Sequence, residues 1–230
     1  MAISYTQSRS ATSLAVSSIA LAFNSNVSAG NPGLIVGVRD GRAANDSANI
    51  TVSDNVNAGN YGLDVAQNIA TDGDTSAIFS HDNAAAGATT VTMALTAGSA
   101  TLSIAIHEIA GLATSAALDK TASANNTSTT PNSGNTAATT QASELVFGFL
   151  ALSGINAETI TASGGATLRE NDSLRIASNT LVVSSTGVQS SSFGLTVSEE
   201  WACLCATYKG AAAGQIPYQP WLGRAPFMAS

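Results

Sequence analysis

Short apolar or alternating runs, each closed by a cluster of Gly, Asn, Asp or Ser, succeed one another along the whole chain. That rhythm is the mark of strands and turns, and no stretch carries the 3.6-residue period of an amphipathic helix. The clearest alternation is TTVTMALTAG, where Val91, Met93 and Leu95 face one way and Thr90, Thr92, Ala94 and Thr96 the other, as in a half-buried strand. Gly98 separates it from TLSIAIHEIAG, whose Leu102, Ile104 and Ile106 make a second apolar face, so residues 88–110 read as a β-hairpin. GLIVGV at 33–38 and ELVFGFLALSG at 144–154 are apolar at consecutive positions, which places each in mid-sheet with cover on both faces.

Two opening strands are predicted over 2–8 and 13–23, with shorter ones at 49–53, 61–66 and 77–81. SLRIASNTLVVSS, SFGLTVS and EWACLCATYK follow toward the C-terminus. On the last of these, Trp201, Cys203 and Cys205 share one side while Ala202, Leu204 and Tyr208 share the other. The sum is roughly a dozen strands, more than a minimal sandwich needs. Residues 121–143 are rich in Ser, Thr and Asn, and read either as a linker or as a surface loop with a polar strand in it. From Gly210 the character changes. Pro217, Pro220 and Pro226 deny regular structure, so an extended arm is predicted, with Tyr218, Trp221, Leu222, Phe227 and Met228 as candidate partner-binding residues. Such an arm packs either on its own sandwich or on a neighbour.

Composition sharpens this picture. Charged residues make up only 10% of the chain and aromatics 5%, against about 25% charged in ordinary globular proteins. The polar surface is therefore built of Ser, Thr, Asn and Gly, which suits an extracellular or virion surface. The formal net charge is -7, and Lys120, Lys209 and the six arginines are scattered, so no basic stripe is available for a phosphate backbone and nucleic acid is excluded as a partner. No apolar run of 18 or more residues is present to span a bilayer, and the acidity opposes docking on anionic lipid, so no membrane role is expected. The stretch ATSLAVSSIALAF followed by Val27-Ser28-Ala29 imitates a signal peptide, but Ser13, Ser17 and Ser18 interrupt it. We expect it to be retained, in a chain made in a host cytoplasm.

Candidate chemistry is sparse. The two histidines are His81 and His107, and His107-Glu108 opens like HExxH but continues Ile-Ala-Gly without a second histidine. Neighbours on a strand also point to opposite faces, so no shared metal is expected from that pair. Asp72, Asp74 and Asp82 lack the further ligands of a calcium loop and read as solvated turns. Glu144, Glu158, Glu170, Glu199 and Glu200 offer no spacing that identifies a carboxylate pair, and no Gly-x-Ser-x-Gly elbow occurs. Cys203 and Cys205 read as buried free thiols, since successive same-face strand positions are a poor geometry for a disulfide. No catalytic residue, metal or cofactor is expected.

The segments GNPGLIVGV, ITVSDNVNAGNYGL, AAGATTVTMAL, LSIAIHEIAGL, ELVFGFLAL and EWACLCATYK, in that order, resemble a jelly-roll-like β-sandwich domain family found in tailed-phage virion proteins and bacterial surface proteins. The match covers about residues 30–209, and the loop DNVNAGN is longer than the family's usual turn. The resemblance implies an all-β antiparallel sandwich at 30–209 as one domain, flanked by an N-terminal strand region at 1–29 and the arm at 210–230. It implies a structural virion subunit, a capsid decoration or cement protein, that contacts the major capsid protein or neighbouring copies. A homo-oligomer, such as a trimer, is the expected state. The alternative it leaves open is a receptor- or carbohydrate-binding module, on a phage tip or fibre or as a bacterial adhesin.

Overall fold

A computed structural model describes residues 2–30, 32–42, 47–69, 72–154, 159–172 and 174–212. Fifteen strands and one 3-10 turn, Ser47–Asn49, make up its regular structure. The first eight strands are β1 Ser4–Val16, β2 Ser18–Ala22, β3 Gly33–Asp40, β4 Ile50–Asp54, β5 Gly62–Asn68, β6 Thr75–His81, β7 Thr90–Leu95 and β8 Ala100–Ala110. The other seven are β9 Leu118–Ser128, β10 Glu144–Leu152, β11 Ile160–Ala162, β12 Thr167–Asn171, β13 Ile176–Val183, β14 Phe193–Leu195 and β15 Glu199–Lys209. Every paired neighbour is antiparallel.

The strands form layers. Two five-stranded sheets lie at the centre, ordered β1-β8-β3-β6-β5 and β12-β13-β10-β15-β9. The three-stranded sheet β2-β7-β4 covers the outside of the first, and the pair β11-β14 covers the outside of the second. Three apolar cores fill the gaps between layers. Ile19, Leu21, Val52 and Met93 of the outer sheet meet Leu34, Val36, Val38 and Ile104 in the first core. Ile35, Ile78 and Ile109 meet Phe147, Phe149, Leu204 and Tyr208 in the middle one. Leu150, Leu152, Trp201 and Cys203 meet Ile160, Phe193 and Leu195 in the third. Each such large side chain contributes on the order of 1.5–3 kcal/mol when fully buried.

This layering explains the consecutive apolar runs. In β3, Leu34, Val36 and Val38 fill one core while Ile35 fills the next, and all eight residues of the strand are buried. In β10, Leu145, Phe147 and Phe149 face the middle core, and Leu150 and Leu152 the third. The predicted sides of the last strand also hold: Ala202, Leu204 and Tyr208 lie in the middle core, Trp201 and Cys203 in the third.

Two local expectations are corrected and one open alternative is decided. Residues 88–110 are not a hairpin, because β7 pairs with β2 and β4 while β8 pairs with β1 and β3. The reason is cover: β7 is buried on one face only and belongs to an outer layer, whereas β8 carries Ala105, His107 and Ile109 between its apolar positions and needs cover on both. The chain turns at Gly98 (φ 80°) from one layer into the next. At the N-terminus the gap expected at 9–12 is absent and β1 runs for 13 residues along β8, while the shift of apolar phase between Leu14/Val16 and Ile19/Leu21/Phe23 marks the real break at Ser17, after which β2 enters the outer sheet. Of the two readings of 121–143, the one with a polar strand in it holds: Leu118–Ser128 is a full strand along β15, and residues 129–139 run beside 187–195. The long loop after β4 is organised by Asp54, which accepts from the backbone amides of Val56 and Asn57 (both 2.6 Å) and from the Tyr61 hydroxyl (2.7 Å).

Candidate functional site

The groups with chemical potential gather at the seam between the two central sheets, where they bond to one another. His107 stands at its middle, fully buried on β8. Its Nδ1 lies 3.3 Å from the Ile35 carbonyl and its Nε2 2.8 Å from the Ser178 hydroxyl on β13. A carbonyl only accepts, so the ring proton sits on Nδ1 and Nε2 accepts from Ser178, which in turn accepts from the Glu170 amide at 3.2 Å. The Phe147 ring meets the imidazole edge-on, with centroids 4.8 Å apart. Burial pushes the His107 pKa down to about 3, more than the Ile35 carbonyl raises it, so the ring stays neutral and polar without being a base at neutral pH.

Glu108 points the other way, as strand geometry requires. It is fully buried, accepts from Gln7 Nε2 (2.6 Å) and the Ser28 amide (2.8 Å), and bonds the Ser28 hydroxyl, pinning the chain after β2. The His107-Glu108 pair therefore serves two different interfaces.

Polar bonds also close both edges of the seam. On one side Glu170 of β12 accepts from the hydroxyls of Ser8 and Ser10 on β1, the latter at 2.7 Å, and Thr12 donates to Asp172 at 3.0 Å. The Arg169 guanidinium lies 3.9 Å from the Tyr5 ring centroid, a cation–π contact. On the other side Ser123 of β9 donates to Gln67 of β5 (3.3 Å), and Asn125 to the Asn68 carbonyl (2.6 Å). Beside them the Tyr208 hydroxyl donates to Asp64 at 2.6 Å and Ser80 donates to it at 3.0 Å. Burial raises the Asp64 pKa to about 6 against the lowering effect of those two donors.

A further buried pair closes one end of the stack. Asp74 is 5% exposed and ion-paired with Arg39, itself 2% exposed, so the solvated turn expected for Asp74 is corrected: it is the partner of an arginine inside the fold. Arg39 Nη2 also donates to the Ser153 carbonyl at 3.1 Å, while Nε and Nη1 meet no acceptor among the described residues. Burial lowers the arginine's pKa and raises the aspartate's, each more than the partner restores. Asp72 is exposed and Asp82 accepts from the Ala117 amide at 3.1 Å, so the three aspartates do not converge. Among the described residues, no group of three or more His, Cys, Asp or Glu could hold a metal ion.

Cys203 and Cys205 are free and buried. Burial raises both thiols, Cys205 to about 12, so neither is a thiolate at neutral pH. Glu144 and Glu199 are buried at strand ends, Glu170 is committed to the seam, and Glu158 lies outside the described residues. The arm residues Tyr218, Trp221, Leu222, Phe227 and Met228 also lie outside them.

No family model matches the chain, and no curated protein matches it. Among solved structures, the major capsid protein P2 from Bacteriophage PM2 aligns over 89% of this chain and 99% of that one, at 10% identity and a TM-score of 0.25. Overlap of that quality falls short of a shared fold. The geometry above stands without it. The sequence pattern missed the Arg39–Asp74 pair, although an arginine ending the wholly apolar run GLIVGVRD was its signal. The bonds of Glu170 to Ser8 and Ser10 and of Asp64 to Tyr208 had no local signal, since those partners come from the other half of the chain.

Proposed function

We propose that the chain is a structural subunit of a tailed-phage virion, a capsid decoration or cement protein that contacts the major capsid protein or neighbouring copies. One observation carries the reading: the reactive groups are buried, with His107 and Glu108 serving as internal fastenings and Cys203 and Cys205 packed inside as free thiols. A body whose two central sheets are covered on both faces transmits load through packed cores rather than through mobile loops. Its weakly charged surface of Ser, Thr and Asn suits close packing against like surfaces, and the resemblance of the segments at 30–209 to virion β-sandwich domains supports the same reading. Quantitative mass spectrometry of purified particles of the encoding phage tests it. The expected result is the chain at a fixed copy number relative to the major capsid protein; its absence from particles refutes the assignment.

A further inference from the structure

The two central sheets have one and the same design. Counting strands from each start, β1-β8-β3-β6-β5 in the first sheet corresponds to β9-β15-β10-β13-β12 in the second. The outer layers correspond as well. In the first half β2 and β4 flank β7. In the second, β11 pairs with β14, and residues 129–139 run along its other side through Leu195 N to Thr129 O (2.9 Å), Phe193 N to Pro131 O (2.9 Å) and Ser133 N to Ser191 O (3.0 Å). Residues 2–112 and 113–212 are thus two modules of one topology, a division finer than the single unit at 30–209 expected from the resemblance.

Their packing follows an approximate two-fold exchange. β1 packs on β12 and β5 on β9; β8 packs on β13 and β6 on β15. Exchanging each strand for its counterpart turns the first contact of each pair into the second. A simple stacked repeat would instead set β1 on β9. The side-chain bonds obey the same exchange at the edges, with Ser8 and Ser10 on Glu170 at one and Ser123 on Gln67 at the other. The C-terminal ends of the two modules also meet. Ala211 N donates to Gly111 O at 2.8 Å, and Ala113 N to Lys209 O at 2.9 Å.

We infer that the chain is a fused dimer, in which the five-stranded face of each module is an interaction surface whose partner is a second module of the same topology. This holds independently of the virion reading. The surfaces have diverged where β3 crosses β10: Gly37 is a hole and Phe149 the knob that fills it, since a Cβ at Gly37 would overlap the Phe149 ring. Two first modules would leave that hole empty and two second modules would set phenylalanine against phenylalanine, so the fusion pairs unlike partners.

Two rearrangements of the full chain test this. The first is a circular permutant that starts at Ser115, runs through Ser230, continues at Ala2 and ends at Thr114, so that residues 213–230 become the connector. We expect a soluble chain of unchanged oligomeric mass with a thermal midpoint within about 5 °C of the parent's. The second exchanges knob and hole. Gly37→Phe and Phe149→Gly alone each lower the midpoint by about 10 °C, and the double variant recovers at least half of the combined loss. A permutant that fails to fold, or a double variant that loses the sum of the two single losses, overturns the two-fold reading.

Discussion

Replacing Asp64 by Asn isolates the most sharply perturbed carboxylate of the seam. Asp64 is held between Tyr208 and Ser80, and burial lifts its pKa from 3.8 to about 6. Below pH 4 the carboxyl is protonated in folded and unfolded chains alike, so it leaves stability unchanged. As pH rises from about 4 to about 6 the unfolded chain ionises while the folded one resists, and stability falls; above about 6 the loss is complete. The full interval is worth about 3 kcal/mol, and the carboxylate's partial contact with water reduces the expected effect to about 1–2 kcal/mol. Asn keeps the shape, accepts from Tyr208 through its carbonyl and donates to the Ser80 hydroxyl through its amide. Urea denaturation of both chains at pH 4 and pH 7.5 gives the measurement. The difference between variant and parent should move in the variant's favour by about 1–2 kcal/mol from the lower to the higher pH. A difference that stays constant with pH, or moves the other way, refutes the claim that burial dominates at Asp64.

Two further outcomes test the buried polar groups. Arg39→Met strands Asp74 inside the fold and should lower stability by about 3–5 kcal/mol, whereas Arg39→Met combined with Asp74→Leu should regain most of it; urea titration of the three chains shows whether the pair is replaceable by apolar packing. Cys203 and Cys205 should resist an aromatic disulfide reagent in the native state and both react promptly in denaturant, because burial holds the thiols protonated and out of reach; fast native labelling of either would contradict their placement.

Layer membership was legible wherever the apolar pattern differed between one face and two. The runs at 33–38 and 144–152 announced their double cover, and the alternation at Val91, Met93 and Leu95 announced an outer strand. Partner choice was not legible. β7 and β8 adjoin in sequence yet pair in different sheets: β7 has one apolar face to bury and lies in an outer layer, while β8 has two and lies inside a central sheet. Trp201 and the two cysteines could be placed because strand parity alone sorts them. Asp74 could not: its sequence neighbours Asp72 and Gly73 look like a solvated turn, and only Arg39, arriving from β3, takes it out of water. Glu170 illustrates the same limit, since the hydroxyls of Ser8 and Ser10 reach it only once β1 lies across β12.

The low charge of the chain and the polarity of its seam follow from one requirement. In an ordinary sandwich each strand turns one face to water; here β3, β6, β8, β10 and β15 are almost wholly buried, so positions that would carry Lys or Glu elsewhere carry Ala, Ser, Val or Phe. Apolar faces alone fix a distance between two sheets but only weakly fix their lateral register, since burial is non-directional. Directional bonds supply the register. His107 to Ser178 sets it at the middle, while Ser10 to Glu170 and Tyr208 to Asp64 set it near opposite edges. Three fastenings spread across a sheet of five strands oppose sliding and rotation together, which a single central bond could not do. The buried histidine and carboxylates, which in a cleft would invite a catalytic reading, are thus accounted for by the alignment of two sheets that meet face to face.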